Sequence, residues 1–439
     1  MAAEKSNKFQ TILLIVFGVG LLVGVIMFAL TKSGGGSGET EVVFWGTFPR
    51  RLMDDTLVVI NDQKKVTGVT VRYVEQDPLT YESDLVEAFA SGIGPDVFMI
   101  NQDMIIPHEN KIRPLGYESF SERDYRLRYV DGASIFLNDN GVLAFPFAVD
   151  PLVMYYNKNM FNTAGIAEPP TSWVQFAGLV PMLTQRDSNQ NIIKSGLAFG
   201  NFSNIQHASE VFETLLLQLG NSIISKDNAD NYISIASRSN NSSTNPLALS
   251  LQFFTNFANP LLETYSWNSS FQSAEDMFVQ DRLAMYFAPA SKFQEIQRKN
   301  INLNYDITKL PQVSETSTFV TSGDFYGVAV SRTSRNSQAA FSAANLIANG
   351  DVNKTITEAL ALSPVRRDLL RSSAGLTPYQ EAIRESALIS YTWLNPGGAG
   401  DAVLEEAVSS VIRGAYNENA ASRNVDNQMI LILNQYNNR

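Results

Sequence analysis

Residues 41–46 read EVVFWG, residues 69–74 read VTVRYV and residues 97–100 read VFMI. Each run is short and rich in β-branched or aromatic side chains. VTVRYV also alternates apolar with polar positions, as a strand does when one face is buried. A polar helical stretch separates the first run from the second. Between the second and third, residues 79–90 place Leu85, Val86 and Phe89 at helical spacing, Gly92 ends the helix, and Pro95 and Asp96 lead into the third run. Strands alternating with helices predict an α/β sheet with helices on its faces. In such sheets ligands sit off the carboxyl ends of the strands. Residues 45–48 and 101–103 fall at those ends, which makes Trp45 and Asp103 candidates on topology alone.

Further along, residues 144–149 (AFPFAV) and 151–156 (PLVMYY) are strand-like and separated by Asp150. Residues 161–165 are helical, and PPTSW at 169–173 is a helix start with a Ser/Thr cap. Apolar helices at 211–219 and 247–257 flank a polar, loop-like stretch at 225–245, rich in Asn and Ser. Residues 325–330 are again a strand, residues 337–348 an Ala-rich helix, and the chain is helical from residue 401. No short repeat is present.

The chain of 439 residues suits two or three domains. With 44% apolar and 18% charged residues it has ample material for a core. Its formal charge of −11 lies in the body, since the first 40 residues hold three Lys against two Glu. An acidic body without basic runs repels phosphate backbones, so nucleic acid is not expected as a partner. The absence of cysteine excludes disulfides, thiolate nucleophiles, zinc–thiolate and iron–sulfur sites, and a lipid-modified cysteine. Two histidines, His108 and His207, rule out a three-His metal centre within one chain. Neither a metal nor a cofactor is expected.

No residue from 9 to 31 is charged, and residues 12–30 are apolar side chains plus Gly. At about 1.5 Å per residue this run spans roughly 28 Å, near the thickness of a bilayer core. A cleaved signal peptide is the alternative, but its apolar core is shorter, about 7–15 residues, and ends in a small-x-small site. Thr31-Lys32-Ser33 offers no such site. The expectation is an uncleaved single-pass anchor in the plasma membrane. Lys5 and Lys8 place its N-terminus in the cytoplasm and the body outside. SGGGSG at 33–38 then forms a flexible tether.

Taken in order, several segments resemble one family. They are EVVFWG at 41–46, SGIGPDVFMI at 91–100, PFAVDPLVMYYNKNMF with AGIAEPPTSW within 145–173, DRLAMYF at 281–287, residues 326–347, and SPVRRD at 363–368. The chain resembles the extracellular solute-binding proteins of ABC importers (family 1), in the sugar-binding group that includes maltodextrin-binding protein, over residues 41–439. The resemblance implies a two-lobed α/β, periplasmic-binding-protein-like fold. Lobe one comprises 41–148 and 320–362, lobe two comprises 149–319 and 363–439, and a hinge of crossover strands closes the lobes around a ligand. It also implies a carbohydrate as the solute, ABC permease subunits as partners, and no enzymatic activity.

Sugars present C–H faces and hydroxyl rims, so their clefts need aromatic rings and planar polar groups. Trp45 matches the family's cleft position, with core packing as its alternative. Trp267 and Trp393 stand in polar or Gly-rich surroundings and are candidates to face ligand, whereas Trp173 at a helix start packs. Asp150, at the crossover, matches an acidic sugar-binding position, and Asp103 matches a polar cleft position. Asp96 caps a turn. Tyr155 and Tyr156 point to opposite faces of a strand and cannot share one iron ion, so one of them, taken as Tyr155, lines the cleft and the other packs. The resemblance is broken by Ala288-Pro289-Ala290-Ser291 before Phe293, and by Ala402-Val403-Leu404 where a tail aromatic stands in maltodextrin-binding protein. These departures favour a smaller or different solute. The competing readings are a surface glycosidase, which needs two carboxylates about 5–10 Å apart, and a sensor or adhesion module that keeps the fold without transport.

Overall fold

The computed structural model describes residues 40–238, 245–313, 319–371 and 376–438. The anchor expected at 12–30 and the tether at 33–38 lie outside the described residues. Among the described residues no helix is long and apolar enough to cross a membrane.

The opening segments fold in the alternating order that their patterns predict: β1 (Thr40–Gly46), α1 (Arg50–Asp62), β2 (Val69–Glu75), α2 (Tyr81–Ala90) and β3 (Val97–Asn101). β1 pairs in parallel with β2 and β3. Val42 and Phe44 share one face of β1 and are buried, the period of two that a strand imposes. Met53, Leu57 and Ile60 of α1, at helical spacing, cover that face. Asp96 accepts from Val43 N–H (3.1 Å) of β1 and from Ser334 Oγ–H (2.6 Å), so its carboxylate ties distant segments together where the sequence suggested a local turn cap.

The two strand-like runs on either side of Asp150 form one strand, β4 (Ala144–Asn157), buried along its length except at Tyr156. Prolines lack the N–H that a ladder needs and are tolerated at irregularities. Here the register shifts between Tyr326 and Gly327, opposite Pro146, and the strand continues. Beyond it come α3 (Trp173–Leu183), β5 (Ile192–Leu197), α4 (Ala208–Gln218), α5 (Pro246–Asn256), β6 (Leu283–Pro289), β7 (Tyr305–Thr308) and β8 (Thr321–Val330). The chain ends with α6 (Ser337–Ala348), α7 (Gly350–Ala359), α8 (Pro378–Leu388), α9 (Gly398–Ile412) and α10 (Glu418–Asn437). Ser172 caps α3 by accepting from Gln175 N–H.

The main sheet runs β2-β1-β3-β8-β4-β6-β5, with β7 also paired to β4. β8 pairs with the first part of β4, from Ala144 to Pro151, while β6 and β7 pair with its second part, from Leu152 to Asn157. β4 and β8 therefore pass between two α/β lobes. Lobe one sandwiches its sheet between two apolar clusters, one around Phe44, Leu57 and Ile347 and the other around Leu85, Phe98 and Phe136. Lobe two has a core around Phe176, Phe199, Phe254 and Phe287. Two details depart from the pattern-based expectations. Val365 and Leu370, which the family resemblance assigned to lobe two, are buried in lobe one's second cluster, because Ser363–Pro364 pairs with β4 at Val149 and Ala148. The polar stretch after residue 225 contains a small hairpin, Ile224–Lys226 with Tyr232–Ser234, anchored by buried Ile223, Ile224 and Tyr232.

That hairpin reaches across to lobe one. Glu109 accepts from Lys226 Nζ (3.0 and 3.2 Å), from Tyr232 Oη–H, and from Asn138 Nδ2 (2.7 Å) of its own lobe. Burial alone raises the pKa of this carboxyl, but the three donors outweigh burial and hold it below its ordinary value. The contact ties the two lobes together.

Candidate functional site

The strand-end argument leads to a cavity of about 250 Å³ between the lobes. Its wall from lobe one is Gln102 and Asp103, in the turn Gln102–Met104 that follows β3. Asn101 shapes that turn by accepting from Met104 N–H (3.2 Å). From β8 comes Asp324, and Gln102 joins the two strands: its Nε2 donates to Asp324 Oδ1 (2.8 Å), and its Oε1 accepts from Phe325 N–H (2.9 Å). Lobe two contributes Glu210 and Glu213, three apart on α4 and therefore neighbours on its surface. The helix is pinned to β8 by Ser322, which donates through Oγ to Glu210 O (2.9 Å) and through N–H to Thr214 Oγ1 (2.9 Å). The far wall is Trp393 and Asp401.

Glu213 is buried and accepts at Oε1 from Trp393 N–H (2.8 Å) and Thr392 Oγ1–H (3.1 Å). Asp401 accepts from Ser209 Oγ–H (2.6 Å) and Asn395 Nδ2–H (3.1 Å). Asp150 stands opposite Asp324 in the β4–β8 register and accepts from Ser291 N–H (3.1 Å).

So many carboxyls in one low-dielectric place resist ionisation. Burial, followed by the charges of Asp324, Asp401, Glu210 and Glu82, pushes Asp103 up to about 8. Burial, with Glu210 and Asp150 adding, pushes Asp324 up to about 7. Asp150 is raised to about 6 by burial, against its hydrogen bonds from Ser291. Glu213 lies well above the ordinary range because it is buried. A carboxyl with a raised folded-state pKa holds a proton that the unfolded chain has lost, so stability falls with rising pH between the two values. The protein is therefore expected to lose stability from about pH 4 to about pH 8, the window set by Asp103 with its ordinary value of 3.8. Asp103→Asn should flatten the upper part of that slope. Urea unfolding at a series of pH values checks this, and a stability rising from pH 5 to 8 would contradict it.

The residues singled out in the sequence divide. Asp103 and Trp393 line this cavity, and Asp150 lies on the crossover strand beside Asp324. Trp45 is half-buried against the lobe-one cluster that holds Tyr81 and Phe98, and it is not among the residues lining the cavity. Two expectations need correction. Trp267 is 0% exposed, inside lobe two's core, so no face of its ring is free to stack on a ligand. Tyr155 is also 0% exposed; its hydroxyl is spent on the carbonyls of Pro289 (2.8 Å) and Ala290 (3.1 Å). Tyr156, on the other face of β4, packs against Phe161 at 5.3 Å between ring centroids.

Glu210, Glu213, Asp324 and Asp401 were not anticipated. The available signal was a carboxylate in an otherwise apolar run: Glu213 precedes TLLL in α4, and Asp324 interrupts β8. A larger concavity of about 400 Å³ is bounded by Phe120, Arg128, Arg366 and Arg371, but it lies on lobe one alone. Two further cavities, of about 200 and 510 Å³, also open between the lobes around Glu109 and Tyr232; the cavity of about 250 Å³ is the better candidate because the strand-end residues Gln102 and Asp103 and Asp324 of a crossover strand meet there.

Comparison with known proteins agrees with this architecture. The structure is similar to the cyclic alpha-maltosyl-1,6-maltose binding protein of Arthrobacter globiformis, with TM-score 0.74 and 14% identity over 90% of this chain and 99% of that one. It is similar to an ABC substrate-binding protein of Listeria monocytogenes in complex with cycloalternan, with TM-score 0.67 and 17% identity over 90% and 99%. The GacH receptor of Streptomyces glaucescens, solved unliganded and with acarbose, matches with TM-score 0.65 and 15% identity over 90% and 99%. At these identities the likeness concerns the two-lobed fold. Among curated proteins none matches the chain. A family model described as bacterial extracellular solute-binding protein matches residues 59–380. The chain belongs to this family of extracellular solute-binding proteins, which are binding proteins and not enzymes, and its body lies outside the cytoplasm.

Proposed function

We propose that the protein captures a small carbohydrate between its lobes and delivers it to the permease subunits of an ABC importer, while residues 12–30 hold it in the membrane. The observation that carries the capture reading is the convergence of Asp103, Glu213, Asp324 and Trp393 on one cavity between lobes joined by two crossover strands. Carboxylates and amides bridge sugar hydroxyls, and aromatic rings cover their C–H faces. Gln102, Asn395, Phe202 and Trp393 supply the amides and rings here. The solved relatives support the same reading, since one is a cyclic alpha-maltosyl-1,6-maltose binding protein and others were solved in complex with cycloalternan and with acarbose. The cavity of about 250 Å³ suits a small saccharide better than a long chain, because pockets for drug-sized ligands run to roughly 300–1,000 Å³.

The test is a thermal-shift panel of mono- and oligosaccharides on the purified full-length chain. A bound sugar raises the melting temperature by mass action. No shift with any sugar or polyol would end the carbohydrate reading and leave the fold untouched. For the anchor, the mature protein is expected in the membrane fraction with its N-terminus retained, and N-terminal sequencing that began near Ser33 would contradict it.

A further inference from the structure

Glu109 stands where a segment of lobe one reaches lobe two. The chain leaves β3 through the turn Gln102–Met104, which carries Asp103 of the cavity, and continues as Ile105–His108 and Glu109–Lys111. His108 Nε2 lies 3.0 Å from Glu82 Oε1 and pins this segment to α2 of its own lobe. Ile106, on the same segment, is buried with the apolar core of lobe two. Glu109 then meets lobe two again, through Lys226 Nζ and Tyr232 Oη–H.

Both sides of that contact are ordered by their own lobe. In lobe one, Asn138 Oδ1 accepts from Asn140 N–H (2.9 Å), which leaves Nδ2 to donate to Glu109. In lobe two, Asn437 at the end of α10 fixes Tyr232: its Oδ1 accepts from Tyr232 N–H and its Nδ2 donates to Tyr232 O, both at 2.9 Å. Lys226 Nζ lies 4.7 Å from the centre of the Tyr232 ring and pairs with Asp230 at 3.0 Å. Groups already held in place lose little freedom when they bond. The Lys226 and Glu109 side chains are only 22% and 21% exposed. Fully exposed ion pairs contribute little, but sheltered, charge-assisted hydrogen bonds are about twice as strong as neutral ones. Oε1 of Glu109 takes Asn138 and Lys226, and Oε2 takes Lys226 and Tyr232, so protein donors fill both oxygens.

We propose that Glu109, Lys226 and Tyr232 form a latch that holds the two lobes together before any solute enters. Lobes joined by crossover strands can turn about them. A bond made only when they are close shifts the balance toward the closed arrangement. The latch and Asp103 lie on one segment, so opening the latch also frees the wall of the cavity. The inference is independent of which solute the cavity takes.

The chain has no cysteine, so Glu87→Cys on α2 and Ser188→Cys in lobe two, both at exposed positions, give the full-length protein two spin labels and no others. Interlobe distances are measured by double electron–electron resonance without added solute, in this parent and with Glu109→Ala, Glu109→Gln or Lys226→Met added. The parent is expected to show mainly one short distance. Glu109→Ala should raise the ratio of long to short distances at least about tenfold. Glu109→Gln and Lys226→Met should raise it less, because neutral hydrogen bonds remain. A role confined to the stability of the hairpin would lower the urea midpoint and leave the distances alone. Unchanged distances in Glu109→Ala and Lys226→Met, or a parent already mainly at the long distance, would overturn the latch. If Glu109→Ala does not fold, Lys226→Met at the loop end of the hairpin decides alone.

Discussion

Trp267→Ala is expected to lower the free energy of unfolding by about 3–5 kcal/mol, the range for truncating a large buried aromatic. The ring is fully buried and stands edge-on to Phe271 at 5.1 Å. Its Nε1–H donates to Asn204 Oδ1 (2.8 Å), and Asn204 Nδ2 in turn holds the carbonyls of Asn268 and Phe271. Alanine would leave a cavity and an amide oxygen without its donor, and both effects destabilise. Solute affinity of the folded fraction should stay as it was. Urea unfolding and calorimetry on the same variant check the two halves. An unchanged unfolding midpoint with lost affinity would mean that this indole faces ligand after all.

Trp393→Ala should behave differently, although Trp393 too is nearly buried, at 5% exposed. It lines the interlobe cavity, and its backbone N–H, which the substitution keeps, holds Glu213. The variant is expected to lose stability of similar size, about 3–5 kcal/mol. It should also lose about tenfold or more in affinity, because aromatic anchors in binding sites are commonly worth 1–2 kcal/mol or more. Trp393→Phe should recover much of the stability and part of the affinity. Unchanged affinity in the alanine variant, measured under conditions where it remains folded, would remove Trp393 from the site.

The contrast between these two tryptophans shows where sequence reading stops. Strand and helix existence was legible because period-2 and period-3.6 patterns are local: Val42 with Phe44, and Met53, Leu57 with Ile60. The Ser172 cap was legible for the same reason. The polar neighbours of Trp267 suggested exposure, yet Asn204, a partner 63 residues away, satisfies its N–H and lets the ring go inside. Tyr155 likewise depends on carbonyls more than 130 positions distant. The position of Asp103 at this cavity was legible because a strand end is a local feature whose place the fold class determines. Glu213 and Asp324 needed the β8 register and the approach of α4, which are tertiary facts. Asp150 separated two strand-like runs in the sequence, and only the pairing with partner strands on both halves makes them one strand.

The most direct test of the interlobe site is backbone hydrogen exchange on the full-length chain with and without the tightest sugar from the panel. Slowed exchange is expected in the turn Gln102–Met104, at the start of Ala208–Gln218, around Asp324, and across residues 392–401, the segments that line the cavity. Protection confined to the lobe-one groove around Phe120 and Arg366, with none in those segments, would contradict the account.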